Sequence, residues 1–204
     1  MMWLAFDRLW GSPAIVEMKK VFIANVLVLA QFVREPVSKD IKVAIEHSYT
    51  LRETINKNFE NVRNLADHVL LEFGPAREQH LAWRNRIVQW QPQLRALFLL
   101  RIALWKYRTQ LPSFELPTNV LAAQREFDHQ SAEMLESLAD RMEGKAAAQR
   151  GDVQESLARL ERAIESGYLE QPQVLRTRLQ TFLLLSSNAA NLQLSLSNAI
   201  EHRA

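Results

Sequence analysis

The sequence predicts an all-α protein, an elongated antiparallel helical bundle built from long helices with heptad patterning. Between residues 41 and 73, positions recur at alternating spacings of four and three, which places them on one face of a single helix. A second run of this kind covers residues 83–108, after a turn at Gly74 and Pro75. Only 5 glycines occur in 204 residues, and clusters of β-branched residues are few, which argues against a sheet-rich fold. The first run is Ile41, Ile45, Ser48, Arg52, Ile55, Phe59, Val62, Ala66, Val69 and Phe73.

Seven helices are expected, and turn residues mark most of their ends. The first covers residues 3–10 and stops at Gly11. Ser12 and Pro13 supply an N-cap followed by proline at the first helical position, and they open a second helix that runs to Arg34.

The third and fourth helices are the two long heptad segments. Ser38 can cap the third, which we place at 39–73, and the fourth follows at 76–111. Pro92 lies inside the fourth helix, removes one backbone hydrogen bond and should kink it. Because a short turn joins two helices of similar length, we expect them to fold back as an antiparallel hairpin.

Three further helices complete the predicted bundle. The fifth runs from about 118 to 144. Asp152, with Glu155 three residues later, resembles a capping box that opens the sixth helix. The seventh, at 172–200, has leucines that alternate with polar residues near its end, but its wider spacing of apolar residues favours a helix over a strand.

The organisation expected from these segments is one main bundle and one smaller unit. Residues 1–145 form the main helical bundle with its long hairpin, and residues 146–204 form a C-terminal helical pair that packs on it. Residues 144–151, with the sequence GKAAAQRG, are typical of a flexible joint between the two.

Composition and motifs exclude several classes of function. The chain has no cysteine, which excludes disulfides, thiolate metal sites and cysteine nucleophiles. Its net charge is only +2, so bulk charge predicts no nucleic-acid partner. Glycine spacing fits neither a P-loop nor a dinucleotide fingerprint, and no serine lies in a G-x-S-x-G setting. No apolar run is convincing as a membrane span or a signal peptide. We therefore expect no enzymatic activity and no cofactor.

The fourth predicted helix carries a basic edge within a segment, 75–111, whose net charge is +6. The favoured interpretation is that this edge is solvated or pairs with acids of a neighbouring helix, since residues 118–143 have a net charge of −4. Attraction to an anionic membrane surface or an anionic ligand is the second interpretation. Nucleic acid is disfavoured because the neighbouring tryptophans lie on the apolar seam. The basic edge consists of Arg77, Arg84, Arg95 and Lys106.

The fifth predicted helix carries an acidic stripe, with His129 among the acids. Glu126 and His129 have the i, i+3 spacing of di-iron bundles, but such sites need two pairs of this kind and this chain has one. Because the opposite face is apolar, we expect the stripe to point outward, towards solvent or a partner, and to hold no metal. Its acids are Glu126, Glu133, Glu136, Asp140 and Glu143.

Two arginines, Arg52 and Arg101, interrupt the apolar seams of the two long helices. A buried guanidinium group needs a carboxylate or several carbonyl groups as partners. An arginine at the rim of a seam can instead extend its charged end into water. We expect at least one of these two arginines to be partly buried and to form an ion pair.

Several phrases of the sequence together resemble the soluble helical region of bacterial fusaric acid resistance (FUSC-like) proteins, the aromatic acid exporter family of the inner membrane. The similarity covers most of residues 3–145 and extends more loosely over 178–201. The phrases are WLAFDRLWGSP at 3–13, QFVREP at 31–36, SYTLRETINKNFENVRNLADHVLLEFGPAR at 48–77, WQPQLRALFLLRIALWKYR at 90–108, LPSFELP at 111–117, DRMEGK at 140–145 and RLQTFLLLSSNAANLQLSLSNAIE at 178–201.

The resemblance implies a cytoplasmic domain, and a fragment, of a protein that exports aromatic acids or drugs. Its expected role is assembly or regulation on the cytoplasmic side of the inner membrane, and expressed alone it should be soluble. The implied partners are the membrane-embedded part of the same transporter, periplasmic adaptor components reached through that part, and further copies in a homo-oligomer. Two alternatives stay open: a free-standing helical-bundle adaptor for protein–protein interaction and, ranked last, a helical-bundle enzyme or metal protein.

Overall fold

The computed structural model describes residues 13–34, 41–109, 116–145, 151–166 and 172–201. Within these ranges the chain is all-α and contains no strand, which confirms the predicted fold class. The helix predicted at 3–10 lies outside the described residues. The helices are α1 (Ala14–Arg34), α2 (Ile41–Val69), α3 (Arg77–Thr109), α4 (Thr118–Met142), α5 (Val153–Glu165) and α6 (Gln173–Glu201).

Helix α1 is the central element of the bundle. It packs mainly against α2 and α4 and also contacts α3. Its mostly apolar sequence explains this position, because a helix that is apolar around most of its circumference must be covered on several sides. The buried residues of α1 are Ile15, Met18, Phe22, Ile23, Asn25, Val26, Leu29, Ala30, Phe32 and Val33.

The seam predicted for α2 is buried from Ile55 to Val69 but not beyond. The helix ends at Val69, four residues before the predicted end, and Phe73 is 90% exposed rather than part of the seam. The chain turns at Gly74, whose φ of 118° is not helical, and Pro75 after it cannot donate a helical hydrogen bond. The carboxylate of Glu72 in this turn binds groups of α1 and α3. The first three seam positions, Ile41, Ile45 and Ser48, lie outside the described side chains.

The predicted hairpin of the two long helices exists, but it is not the main packing unit. Helices α2 and α3 run antiparallel, because Arg84 donates to the carbonyl of Ala66 while Gln91 donates to that of Phe59. However, α2 packs chiefly on α1, and α3 packs chiefly on α6. Helix α3 also continues through Pro92 as one helix. The apolar seams are therefore shared with other helices rather than matched to each other.

The C-terminal helices are tied to the rest of the bundle. The Asp152 carboxylate caps α5 by accepting the backbone N–H of Glu155 at 2.9 Å, as the capping box predicts. The backbone N–H of Asp152 donates to the side chain of Gln130 in α4 at 2.8 Å. Helix α5 packs mainly on α4, and α6 packs mainly along α3. All six helices contribute residues to one apolar core.

Candidate functional site

A buried polar cluster lies where α3, α4 and α6 meet, and Arg101 is its centre. The Arg101 residue is only 3% exposed. One terminal nitrogen, Nη1, is 3.4 Å from Oδ1 of Asp128, and the other, Nη2, donates to Oε1 of Gln193 at 3.1 Å. Gln193 in turn donates to the backbone carbonyl of Ser131 at 2.7 Å. The guanidinium group also lies over the ring of Phe127, 5.0 Å from its centre.

The carboxylate of Asp128 joins a second arginine to this cluster. Nη1 of Arg108 is 3.3 Å from Oδ2 of Asp128, and the amide of Gln124 donates to Oδ1 at 2.8 Å. Both arginine distances exceed the range of about 2.7–2.9 Å that is usual for strong charge-assisted bonds. Two guanidinium groups thus share one carboxylate through long contacts.

Burial acts against the charge of every ionised group in the cluster. It lowers the pKa of Arg101 and of Arg108, and the nearby carboxylate of Asp128 offsets only part of this effect. It raises the pKa of Asp128, although both guanidinium groups and the Gln124 amide act in the opposite direction. Arg125 is a further positive charge that lowers the pKa of Arg108. The cluster is therefore electrostatically costly and has an excess of positive charge.

A small cavity of about 30 Å³ opens beside the cluster. Two buried polar atoms of residues that line it have no hydrogen-bond partner among the described residues, namely Nε of Arg101 and Oε1 of Gln124. The cavity is bounded by Phe32, Val33, Arg101, Leu104, Trp105, Arg108, Gln124 and Asp128.

The sequence pattern predicts only part of this cluster. It indicates Arg101 as a charge in an apolar seam but does not indicate its partners. A signal was available in Arg108, which lies seven residues further along the same face of α3. Asp128 lies outside the acidic stripe on α4 and follows Gln124 by four residues, so both face the same way.

Three residues of the basic edge, Arg77, Arg84 and Arg95, have contacts other than the acids of α4. Arg77 donates to the carbonyl of Glu72 at 3.2 Å, and Arg84 donates to the carbonyl of Ala66 at 2.7 Å. A cationic side chain is favourable at Ala66, because this residue lies in the last turn of α2, where carbonyls lack intrahelical donors. Arg95 lies over the ring of Phe59 at 5.9 Å, and Lys106 is exposed. The expected pairing with the fifth predicted helix is therefore wrong for Arg77, Arg84 and Arg95.

Only part of the acidic stripe points towards solvent, because some of its carboxylates bind side chains of the bundle. Glu136 binds Arg34 of α1 at 2.6 Å, so one acid of the stripe bridges two helices. Glu133 pairs with His129 at 3.1 Å, and Glu126 accepts the amide of Gln130. Asp140 and Glu143 both lie beside Lys145 at the end of α4. In the described part of the chain, no group of three or more His, Asp or Glu residues is placed to hold a metal ion.

Arg52, the other seam arginine, is half-buried and differs from Arg101. Its guanidinium group lies over the ring of Tyr49 at 5.2 Å. Within the described ranges it forms no ion pair, and its buried Nε has no hydrogen-bond partner. Of the two seam arginines, Arg101 is thus the one for which the described residues include a carboxylate partner.

An exposed apolar turn, formed by Leu70, Leu71 and Phe73, follows the end of α2. Leu71 is 69% exposed and Phe73 90% exposed, while Glu72 between them points inward. The carboxylate of Glu72 accepts the backbone N–H of Ile15 at 3.2 Å and is 2.5 Å from Nδ1 of His80. The turn is therefore fixed to α1 and α3 while its apolar side chains face outward.

Comparisons with known proteins add nothing to the fold class that the structure shows. No family model, curated protein or solved structure matches the chain. None of the described helices has the length and apolar character that spanning a membrane requires. Fold and site together define an all-α helical bundle with a buried cationic cluster and an exposed apolar turn.

Proposed function

We propose that this chain is a non-enzymatic helical domain of an inner-membrane efflux protein for aromatic acids or drugs, with a role in assembly or regulation. The observation that carries the proposal is the exposed apolar turn at Leu70, Leu71 and Phe73. This turn is part of the phrase LLEFGPAR, which contributes most to the resemblance to exporter proteins. The residues that suggest the family are thus the ones that the bundle leaves uncovered.

The geometry of the turn supports docking to another protein. Large apolar side chains grouped on a surface commonly mark interaction sites. Gly74 adopts a positive φ of 118°, a conformation that side chains disfavour, and it redirects the chain directly after Phe73. Because Glu72 anchors the segment on both sides, the apolar side chains are presented in a fixed geometry. A pre-organised surface loses little conformational entropy on binding.

The proposed partner is the membrane-embedded part of the same transporter. The first test is the DNA that flanks the coding sequence. The proposal expects an in-frame extension, or an adjacent gene, that encodes several apolar spans of about 20 residues each. Without such a sequence the exporter assignment fails, and the free-standing adaptor becomes the better interpretation.

The second test asks whether the turn makes the contact. The membrane-embedded part is co-expressed with the wild-type chain, with a Leu71→Ser/Phe73→Ser variant, or with a Val174→Ser/Leu184→Ser variant. The last is a matched control, because both of its residues are also exposed apolar side chains, on α6. We expect the turn variant alone to lose co-purification in detergent. Equal recovery of all three proteins would contradict a docking role for the turn.

An anionic membrane surface is the remaining partner suggested by the basic edge. Co-sedimentation with vesicles of anionic lipid at low salt, compared with neutral vesicles, tests it directly. Binding that needs anionic lipid and is lost when Arg77 and Lys106 are both replaced by Gln would support direct membrane contact. If the wild-type chain does not bind, the membrane-surface part of the proposal fails and the protein-docking part stands or falls by itself.

A further inference from the structure

We propose that the cavity beside Arg101 and Arg108 binds one small, singly charged anion of the size of chloride or formate. The site is separate from the exposed turn, and the inference does not depend on the proposed function.

The first argument is charge. Arg101, Arg108 and Asp128 bring two positive charges and one negative charge into the interior. An uncompensated buried charge is costly, and Arg125 nearby increases the positive potential at Arg108. One bound monovalent anion would make the three-residue cluster electrically neutral, whereas a divalent anion would give it an excess of negative charge.

The second argument is unused hydrogen-bonding capacity. The guanidinium group of Arg101 uses Nη1 for Asp128 and Nη2 for Gln193, while its buried Nε–H has no partner among the described residues. A buried donor on a charged group is costly if it stays unpaired. Arg108 lines the same cavity and can provide a second charged donor. These donors belong to α3, whose packing against α6 holds them in place.

The third argument is size. A water molecule needs a cavity of about 10–15 Å³ on this scale, so about 30 Å³ holds roughly two groups of that size. Formate fits this space, as does chloride together with one water molecule. Such a water, bound beside the anion, can donate to Oε1 of Gln124, which otherwise lacks a donor. The apolar walls formed by Phe32 and Leu104 exclude a large hydrated anion and strengthen the electrostatic attraction.

The test measures thermal unfolding of the whole chain while chloride or formate replaces gluconate at constant ionic strength. We expect the melting temperature to rise and then to level off, as the linkage relation for one binding site requires. Gluconate, which is too large for the cavity, is the reference anion. Arg108→Gln should weaken the apparent affinity about tenfold or more, because a charge-assisted hydrogen bond is lost.

Arg95→Gln is the matched control, since Arg95 is on the same helix but lies over Phe59 and does not line the cavity. It should keep the full response. A linear response without saturation, or equal responses of the Arg108 and Arg95 variants, would overturn the proposal.

A crystal of the wild-type chain soaked in bromide keeps the proposal testable if the Arg108 variant does not fold. An anomalous peak in the cavity beside Arg101 and Arg108 is expected. Ordered water at that position, with no anomalous signal, would show a hydrated cavity without anion binding.

Discussion

Replacing the buried Arg101–Asp128–Arg108 cluster with apolar residues should cost the bundle little stability or even stabilise it. The variant combines Arg101→Met, Arg108→Met and Asp128→Leu. Burial disfavours the charged form of all three groups, and the two ion-pair distances of 3.4 and 3.3 Å are too long to repay the cost of desolvation in full.

The expected magnitude follows from the contacts that are lost. Apolar replacement of a buried ionic triad gains about 1–4 kcal/mol where the new side chains pack well. The variant also deprives Gln193 and Gln124 of one hydrogen bond each, which costs about 1 kcal/mol per bond. We therefore expect a net change in the free energy of unfolding between about −1 and +2 kcal/mol.

Equilibrium urea unfolding, followed by far-ultraviolet circular dichroism in gluconate buffer, measures this difference. The Arg34→Met/Glu136→Leu variant removes an exposed ion pair and should change stability by less than about 1 kcal/mol. Asp128→Leu alone should be less stable than the triple variant, because it leaves two buried guanidinium groups without their carboxylate. A triple variant less stable than wild type by more than about 2 kcal/mol would mean that the ion pairs repay the cost of burying their charges.

Four further changes in stability follow from the structure, all measured by urea unfolding. Asp152→Ala removes the cap of α5 and should cost about 1 kcal/mol, whereas Asp152→Asn should retain most of the stability; equal losses would contradict the cap. Gly151→Ala places Cβ 2.2 Å from a backbone oxygen of α4 and should cost about 1–3 kcal/mol; no loss would mean that α5 can shift freely. Trp90→Ala removes a side chain that is 1% exposed and should cost about 3–5 kcal/mol, and a loss below 1 kcal/mol would argue against this core. Because burial raises the pKa of Asp128, the folded chain holds this proton to higher pH than the unfolded chain does. The contribution of Asp128 to the free energy of unfolding should therefore fall as the pH rises above 3.8, the ordinary pKa of this group. The apolar triple variant, which lacks Asp128, should not show this pH dependence.

Local sequence signals account for the helices and their caps. The seam positions Ile55, Phe59 and Val62 are buried as the heptad spacing predicts. The cap at Asp152 was also predictable, because its bond reaches only three residues along the chain. In each of these cases the interacting groups are close in sequence, so their geometry depends mainly on one turn or one face of a helix.

The candidate site was far less predictable from local patterns. The heptad position of Arg101 predicted a buried charge in need of a partner, and this much could be read from α3 alone. The identity of the partner could not, because Asp128 is 27 residues away and Gln193 is 92 residues away. Likewise, the contacts of Glu72 with Ile15 and His80 join residues 57 and 8 positions apart, so helical patterning alone does not predict them.

Local sequence patterns suffice to predict an all-α bundle, the positions of most helices and the faces that they bury. Three features depend on the packing of the whole chain. Helix α2 packs chiefly on α1 and α3 on α6, two arginines share one carboxylate, and a turn of apolar side chains stays exposed. The difference lies in the sequence separation over which the two kinds of interaction act. Helix formation and amphipathic patterning depend on neighbours within a few residues, whereas the pairing of faces and charges depends on how all six helices fill one core.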